Sequence, residues 1–235
     1  MSHVTATLAL LAIGAASAVV PVGRAQGKMT TYQLVMLKKG PAAATATTPD
    51  GQAIVKAHIA HLYKLGADGR GMAAGPFTDG GDIQGILMLK AETPEKALEI
   101  QAADPAVKAG IFVMEALPFL SPEGWFGKWV DFGAFETVYF GFLKRGSNRS
   151  QDAETAKQLQ KAHLAYMDGQ AAEGKLIVAG PFTVDGDRRG IVVYRVASME
   201  EARQRAEADP MVKVGRLAVE LHPWQVPIGA LPARQ

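Results

Sequence analysis

The sequence predicts an α+β fold in which two ferredoxin-like βαββαβ repeats pack their sheets face to face as a barrel within one chain. One unit occurs twice at a constant offset of 105 residues, without a gap from His58 and His163 to Pro118 and Pro223. Each copy alternates short apolar runs with segments of helical periodicity. A four-stranded sheet with helices on one side leaves an apolar face, which a second such sheet can bury.

The first copy contains four predicted strands and two predicted helices. The second helix begins with the capping hydroxyl of Thr93 followed by Pro94, and it stops before Pro105 because the residue before a proline avoids helical geometry. The turn signal at Asp79–Asp82 joins two strands as a hairpin. The predicted segments are strands at Tyr32–Leu37, Gly71–Gly75, Ile83–Leu89 and Ile111–Leu117, helices at Gln52–Ala67 and from Thr93, and a mobile loop at Gly40–Asp50.

The second copy follows the same order and starts its last helix with a capping box of Ser198 and Glu201. Between the copies, Ser121–Gly133 holds two tryptophans and two phenylalanines. Solvated linkers are rarely so aromatic, so we expect this segment to pack across the joint. The predicted segments are strands at Thr137–Leu143, Leu176–Ala179, Gly190–Val196 and Leu217–Leu221, and helices at Asp152–Ala172 and from Ser198.

The chain of 235 residues, 48% of them hydrophobic, is long enough for one or two domains, and the duplication favours two. We therefore expect repeats at 29–120 and 135–225, a linker at 121–134 and a tail at 226–235. The net charge of +2 includes only isolated basic pairs, so we expect no nucleic-acid partner. The absence of cysteine excludes disulfides, thiolate nucleophiles and iron–sulfur clusters.

The N-terminus resembles a secretory signal peptide. Leu8 to Val22 is nearly all apolar but short for a membrane span, and the small-x-small sequence Gly23-Arg24-Ala25 follows. The preceding MSHVTAT carries no Lys or Arg, so an uncleaved anchor or a misassigned start codon stays open. We expect residues 1–25 to be a signal peptide, which makes the mature chain periplasmic or secreted and leaves it without a membrane segment.

The strongest candidates for chemistry are a histidine and an aspartate that recur in both copies. His58 and His163 lie on the first helix of each copy, and Asp104 and Asp209 close the second. Both helices cover one sheet face, so the aspartate can approach the histidine. A hydrogen bond would fix the imidazole tautomer and make the histidine a general acid/base near neutral pH. The alternative is a core histidine with one satisfied nitrogen beside a routine Asp-Pro helix stop.

Other repeated residues are candidates for substrate binding. Glycine at the strand ends allows a ligand or another backbone to approach closely, although a turn and bulge at a barrel rim explains it equally well. The hairpin-loop aspartates have the alternative of ordinary turn residues. These candidates are Gly75, Pro76, Asp82, Gly180, Pro181 and Asp187.

We expect no metal and no cofactor. His58 and His61 have a spacing that could ligate a metal, but the second copy has Tyr166 in place of His61, and neither copy has a His/Glu cluster. His222 has Leu117 as its counterpart and looks incidental. No phosphate loop, nucleotide fingerprint or Ser-His-Asp order occurs.

These motifs resemble the YCII (YciI-like) family in tandem duplication. The resemblance rests on the helix histidines, on AGP at Ala74–Pro76 and Ala179–Pro181, and on the ADP-x-V-x-x-G runs at Ala103–Gly110 and Ala208–Gly215. It implies the dimeric α+β barrel, a superfamily that includes muconolactone isomerase and small cofactor-free monooxygenases. Family members usually pair as single domains, whereas this chain resembles its own dimer. The family's histidine and aspartate have been proposed as an active-site pair, here His58 with Asp104 and His163 with Asp209.

The sequence thus predicts a cofactor-free enzyme that uses His/Asp general acid/base chemistry, of isomerase or lyase type, on a small cyclic or aromatic molecule. One alternative is a non-catalytic small-molecule-binding or structural module. A further alternative is a cofactor-free monooxygenase. A solvent-accessible pocket beside the histidine favours the enzyme, and a histidine enclosed by apolar neighbours favours the module.

Overall fold

Eight strands form two antiparallel four-stranded sheets in the computed structural model, which describes residues 28–124, 126 and 133–232. The first repeat consists of β1 (Met29–Lys39), a 3₁₀ helix (Ala43–Thr47), α1 (Pro49–Ala67), β2 (Gly71–Pro76), β3 (Ile83–Leu89), α2 (Pro94–Gln101), α3 (Pro105–Lys108) and β4 (Phe112–Pro122). The second consists of β5 (Phe135–Arg145), α4 (Ala153–Ala172), β6 (Leu176–Pro181), β7 (Arg188–Tyr194), α5 (Met199–Glu207), α6 (Pro210–Lys213) and β8 (Leu217–Pro227).

The two sheets have the same topology, which confirms the predicted α+β fold of two repeats. Their strand orders are β2-β3-β1-β4 and β6-β7-β5-β8. The strands β1, β4, β5 and β8 each have 11 residues and are longer than predicted, because antiparallel pairing continues beyond the apolar runs that mark them in the sequence. The predicted signal peptide at residues 1–25 lies outside the described residues, so export stays a prediction.

The helix starts follow the capping rules. The Thr93 hydroxyl accepts a hydrogen bond from the Lys96 amide at 3.2 Å, and Pro94 occupies the first turn of α2. Ser198 accepts from the Glu201 amide at 3.1 Å, but the Glu201 carboxylate reaches back to the amide of Ala197. The predicted loop at Gly40–Asp50 contains the 3₁₀ helix and the first residues of α1, since Thr48 caps that helix through the Gly51 amide.

The two inner sheet faces form one apolar core between the repeats. The largest fully buried residues of this core include Phe119, Phe140 and Phe142. The linker residue Phe126 is buried in the same core, with its ring 5.2 Å from that of Tyr32. The other aromatic linker residues, Trp125, Trp129 and Phe132, lie outside the described residues. No helix in the described part of the chain is both long and apolar enough to cross a membrane.

The C-terminal segment belongs to this core as well. A tail is expected from residue 226, but Val226 continues β8 and is fully buried. Ala230 and Leu231 are also buried between the sheets. The Pro232 carbonyl accepts a hydrogen bond from Arg195 at 2.8 Å. Residues 226–232 are therefore part of the folded barrel.

The barrel closes where β2 lies beside β8 and β6 lies beside β4. Each junction is made by one repeat's strand end and the final strand of the other repeat, and the two junctions are related by the pseudo-two-fold axis. The contacts are an isolated β-bridge between Phe77 and Trp224, another between Phe119 and Phe182, and backbone hydrogen bonds from Thr78 N to Pro223 O (3.0 Å) and from Thr183 N to Pro118 O (2.9 Å).

Glycine is required at these junctions because the opposing backbone lies against it. A Cβ at Gly75 would lie 1.7 Å from the Gln225 carbonyl oxygen, and one at Gly180 would lie 2.5 Å from that of Leu120. The indole Nε1 of Trp224 also donates to the Gly75 carbonyl at 3.1 Å. The repeated Gly-Pro pairs thus mark the closure of the barrel.

We expect Gly75→Ala to weaken this closure and to lower the free energy of unfolding by about 1–3 kcal/mol or more, since overpacking forces backbone shifts. Gly186→Ala is the matched control, because its added methyl group would meet no atom within 4 Å. Urea unfolding followed by circular dichroism measures both variants. Equal stabilities would contradict the steric role of Gly75.

Candidate active site

In the first repeat, α1 brings His58 to Asp104 at the start of α3. His58 Nδ1 lies 2.6 Å from Asp104 Oδ2, across 46 residues of sequence. The aspartate is fully buried, and the histidine side chain is 11% exposed. His58, Leu62 and Leu65 form the buried side of α1. The histidine therefore faces the sheet and not the surrounding solvent.

The second repeat has the same pair. His163 Nδ1 lies 2.5 Å from Asp209 Oδ2, and both residues are buried. The two pairs occupy equivalent places, on α1 and α4 and at the starts of α3 and α6. The structure thus brings together both predicted pairs, while their catalytic role stays a prediction.

The Asp-Pro sequence fixes the position of each carboxylate. The aspartate follows one helix and is the N-cap of the next, a short helix that was not predicted from the sequence. Asp104 Oδ1 accepts a hydrogen bond from the Ala106 amide at 2.8 Å, and Asp209 Oδ1 accepts one from the Met211 amide at 2.8 Å. One carboxylate oxygen is held by the backbone, which leaves the other for the imidazole.

In the first repeat Gln101 adds a second support. Its Nε2 donates to Asp104 Oδ2 at 2.6 Å, and the Gln101 side chain is fully buried. Ala206 occupies this position in the second repeat, so the carboxylate of Asp209 has no such bond there. The two pairs are alike in geometry but differ in their surroundings.

The electrostatics of Asp104 favour the ionised form. Burial acts to raise the pKa of this carboxyl group, but the hydrogen bond and charge of His58 and the Ala106 amide outweigh burial. The pKa of Asp104 therefore lies below its ordinary value. An ionised carboxylate can only accept a hydrogen bond, so a neutral imidazole bound to it through Nδ1 is the Nδ1–H tautomer, and Nε2 is left available as a base.

Each histidine borders a cavity. The cavity beside His58 has a volume of about 500 Å³ and lies between α1 and the sheet. Its wall is mainly apolar, and the Phe112 ring there lies 5.3 Å from the His58 imidazole. The cavity beside His163 has a volume of about 180 Å³. Neither histidine is enclosed by apolar neighbours alone.

The Gly-Pro pairs also lie in the walls of these cavities. Gly75 and Pro76 line the first, and Gly180 and Pro181 line the second. Gln225 of the second repeat lines the first cavity beside Gly75. The same close approach that closes the barrel thus shapes the candidate sites, while direct substrate contact by these residues stays a prediction.

Asp82 and Asp187 lie apart from the two cavities. Both are outside the buried core, and neither is among the described residues that line the cavities with His58 and His163. Their carbonyl groups accept hydrogen bonds from the amides of Lys39 and Arg145, and the Asp187 carboxylate lies 3.5 Å from Lys144 Nζ. The predicted substrate-binding role gains no support from these positions.

His61 lies one turn of α1 after His58, at the spacing that could ligate a metal. Burial lowers the pKa of His61, although the charge of Asp104 opposes this, and its Nε2 is buried without a hydrogen-bond partner. Within residues 28–124, 126 and 133–232, no three His, Cys, Asp or Glu side chains form a group that could hold a metal ion.

A third His–Asp pair was not predicted and joins the repeats. His222 Nδ1 lies 2.6 Å from Asp79 Oδ2, and its ring stacks on Phe77 with centroids 4.5 Å apart. Because His222 and Asp79 correspond to Leu117 and Val184 in the other copy, the internal comparison gave no signal for them. A contact across 143 residues depends on the closed barrel and has no local sequence pattern.

The fold and the paired residues define a class of protein, a two-repeat α+β barrel with a buried His–Asp pair in each repeat. The model of the YCII-related domain matches residues 32–119 and again 141–225. The chain therefore belongs to the YCII-related domain family and carries this domain twice. A search among curated proteins returns no match.

Solved structures share the architecture. A heme-binding protein from Thermus thermophilus aligns with a TM-score of 0.54 and 11% identity, covering 84% of this chain and 94% of that one. Chlorite dismutase from Candidatus Nitrospira defluvii, in complex with imidazole, aligns with a TM-score of 0.55 and 11% identity, covering 85% and 92%. At these identities the likeness shows the fold alone.

We expect Asp104→Asn to lower the free energy of unfolding by about 1–3 kcal/mol at pH 7, because it removes a buried hydrogen-bonded charge. An aspartate in the unfolded chain has a pKa of about 3.9, and the pKa of Asp104 in the folded protein is lower. The stabilisation by Asp104 is therefore complete above the unfolded pKa and is lost as the pH falls through the folded pKa. Urea unfolding between about pH 7 and pH 2 should show the difference shrinking towards acid.

The control for this series is Asp82→Asn, which changes a hairpin-loop carboxylate. Its free energy of unfolding should stay within about 0.5 kcal/mol of the wild-type value over the whole pH range. A deficit of Asp104→Asn that stays constant down to the acid end would contradict the linkage.

Proposed function

We propose that this YCII-family protein is a cofactor-free enzyme that moves protons on a small cyclic or aromatic molecule with a histidine held by an aspartate. One observation carries the proposal: in both repeats the histidine binds the aspartate through Nδ1 and borders a cavity. Among the hydrogen bonds found in the described residues, none engages Nε2 of His58 or His163. That nitrogen is available to a molecule in the cavity.

The chemistry follows from the tautomer. Nδ1–H donates to the aspartate, so Nε2 carries the lone pair and takes a proton from an acidic carbon or hydroxyl group of the substrate. The aspartate then stabilises the imidazolium ion. Return of the proton to another atom of the substrate gives isomerisation. If instead the electron pair of the broken C–H bond forms a double bond and a leaving group departs with its own bonding pair, the result is elimination.

The size and lining of the cavities support a small ring as the substrate. An apolar cavity of about 150 Å³ holds one benzene molecule, and the cavities beside His163 and His58 measure about 180 and 500 Å³. Leu62, Ile86 and Phe112 give the larger one an apolar wall. Such a wall excludes water from the imidazole and strengthens its interaction with developing charge.

Heme, named for the Thermus neighbour, does not fit these cavities. The described lining of the first cavity includes His58 but no Lys or Arg to pair with the two propionates. The second cavity has arginines, but its volume of about 180 Å³ is far smaller than a porphyrin. The proposal therefore includes no heme and no step through one.

We expect the protein to catalyse exchange of carbon-bound protons with solvent deuterium in a panel of monocyclic enolisable ketones and lactones. Proton NMR in deuterium oxide detects this exchange without knowledge of the complete reaction. The double variant His58→Gln/His163→Gln should slow it by roughly 10²- to 10⁴-fold, the usual contribution of a general base. The two single variants show which repeat is active.

The matched control is His222→Gln, which removes another buried histidine paired with a carboxylate but away from both cavities. It should leave the exchange rate unchanged once circular dichroism shows that the variant is folded. An exchange rate in the double variant equal to that of the wild type would contradict the proposal and favour a non-catalytic binding module.

A further inference from the structure

Each of the two cavities lies beside its own His–Asp pair, but the cavities differ in the charge of their lining residues. The described residues that line the cavity beside His58 include no Lys, Arg, Asp or Glu. Those that line the cavity beside His163 include three arginines and no carboxylate, namely Arg149, Arg189 and Arg216. A duplicated fold has therefore produced one neutral and one cationic cavity.

The fold itself does not require these arginines. Arg189 on β7 corresponds to Gln84 on β3, and Arg216 before β8 corresponds to Ile111 before β4. Arg149 lies in the loop before α4, and residues 40–48 of the equivalent loop contain no basic residue. Three separate elements thus each contribute a guanidinium group in one repeat only.

Two of the three guanidinium groups have no carboxylate partner in the part of the chain that the structure describes. Arg149 donates to the Arg216 carbonyl at 3.2 Å, and Arg216 donates to Gln151 Oε1 at 2.9 Å. Among the ion pairs found in the described residues, none includes either arginine. Arg189 differs, because it pairs with Asp185, which also pairs with Arg145 at 2.9 Å.

The surroundings of Arg149 are short of negative charge. Its pKa is lowered first by burial and then by the positive charges of Arg216, Arg145 and Arg189, while the charge of Asp185 acts in the opposite direction. Placing cations together costs free energy unless an anion joins them. A bound carboxylate would relieve this repulsion and accept paired hydrogen bonds from the N–H donors of a guanidinium group.

We propose that the second repeat's cavity is a binding site for a small cyclic carboxylate, whose carboxylate group binds Arg149, Arg189 or Arg216 and whose ring lies beside His163. The volume of about 180 Å³ suits one six-membered ring. The first repeat's cavity, with its apolar wall, selects uncharged rings. This inference rests on the proposed function only where the bound acid is called a substrate, because binding requires no chemistry.

An adjoining groove gives the acid a path to this site. The cavity and an open groove have four lining residues in common, namely Gln160, Leu164, Pro181 and Arg189. The charged residues of the groove are Arg189, Lys157 and Lys161 on the positive side and Asp168 and Asp185 on the negative side. The groove thus has more positive than negative side chains, which favours the approach of an anion at low salt.

The test compares two probes of the same shape, benzoate and benzamide, which differ in charge. Isothermal titration of the full chain at low salt should give a benzoate affinity roughly 10- to 100-fold higher than that of benzamide, the range for hydrogen bonds to a charged group. NMR signals of labelled histidine should place benzoate at His163 and not at His58. Equal affinities for the two probes would overturn the proposal, and this comparison needs no variant.

Two substitutions convert the site to the residues of the first repeat, namely Arg189→Gln and Arg216→Ile. Each should reduce the preference for benzoate by about tenfold. The control Arg203→Gln changes an exposed arginine of α5 and should leave the preference intact. A benzoate preference that persists in the triple variant Arg149→Ala/Arg189→Gln/Arg216→Ile would show that the charge selectivity lies elsewhere and would overturn the site.

Inorganic phosphate separates a carboxylate site from a general anion site. Measured by competition with benzoate, the affinity of phosphate should be at least about tenfold lower than that of benzoate, because phosphate lacks the ring that fills the cavity. A phosphate affinity equal to that of benzoate would overturn the assignment of a cyclic acid. Binding without deuterium exchange would contradict the proposed function alone, whereas exchange without charge preference would contradict this inference alone.

Discussion

Each repeat has one apolar sheet face that its own helices do not cover, and the structure depends on burying that face against the other repeat. Phe119 and Phe140, one from each repeat, are among the fully buried residues between the sheets. The junctions bring Gln225 against Gly75 and Leu120 against Gly180 so closely that neither glycine position has room for a side chain. Gln225 also lines the cavity beside His58. The contact that closes the barrel therefore also determines the shape of that candidate site.

The His–Asp pairs show how a local helix rule can position a buried base. An Asp-Pro sequence ends one helix and caps the next, and the cap uses one carboxylate oxygen. The other oxygen is then fixed in space and holds Nδ1 of the helix histidine. Positioning therefore needs no residue beyond those that build the helix junction, and both repeats retain it although Gln101 supports the carboxylate in only one.

The features that the sequence predicted are those with local or repeated signals. Helix caps at Thr93 and Ser198 depend on nearby residues, and the fold and the His–Asp pairs emerged from the comparison of the two copies. Features without a counterpart in the other copy were missed. His222 with Asp79 and the arginines beside His163 depend on tertiary contacts present once only. Asp82 and Asp187 are repeated too, but they lie in hairpin loops outside both cavities, and their substrate-binding role stays a prediction.

The proposed chemistry requires that Asp104 and Asp209 hold the two histidines with Nδ1 protonated and Nε2 available as a base. Long-range proton–nitrogen NMR correlation of the imidazole rings tests this directly, and a chain with five histidines gives few signals to assign. We expect His58 and His163 in the neutral state to be the Nδ1–H tautomer, with an unprotonated Nε2. An Nε2–H tautomer at both residues, or the rapid exchange between tautomers of a free imidazole, would contradict this role of the two aspartates.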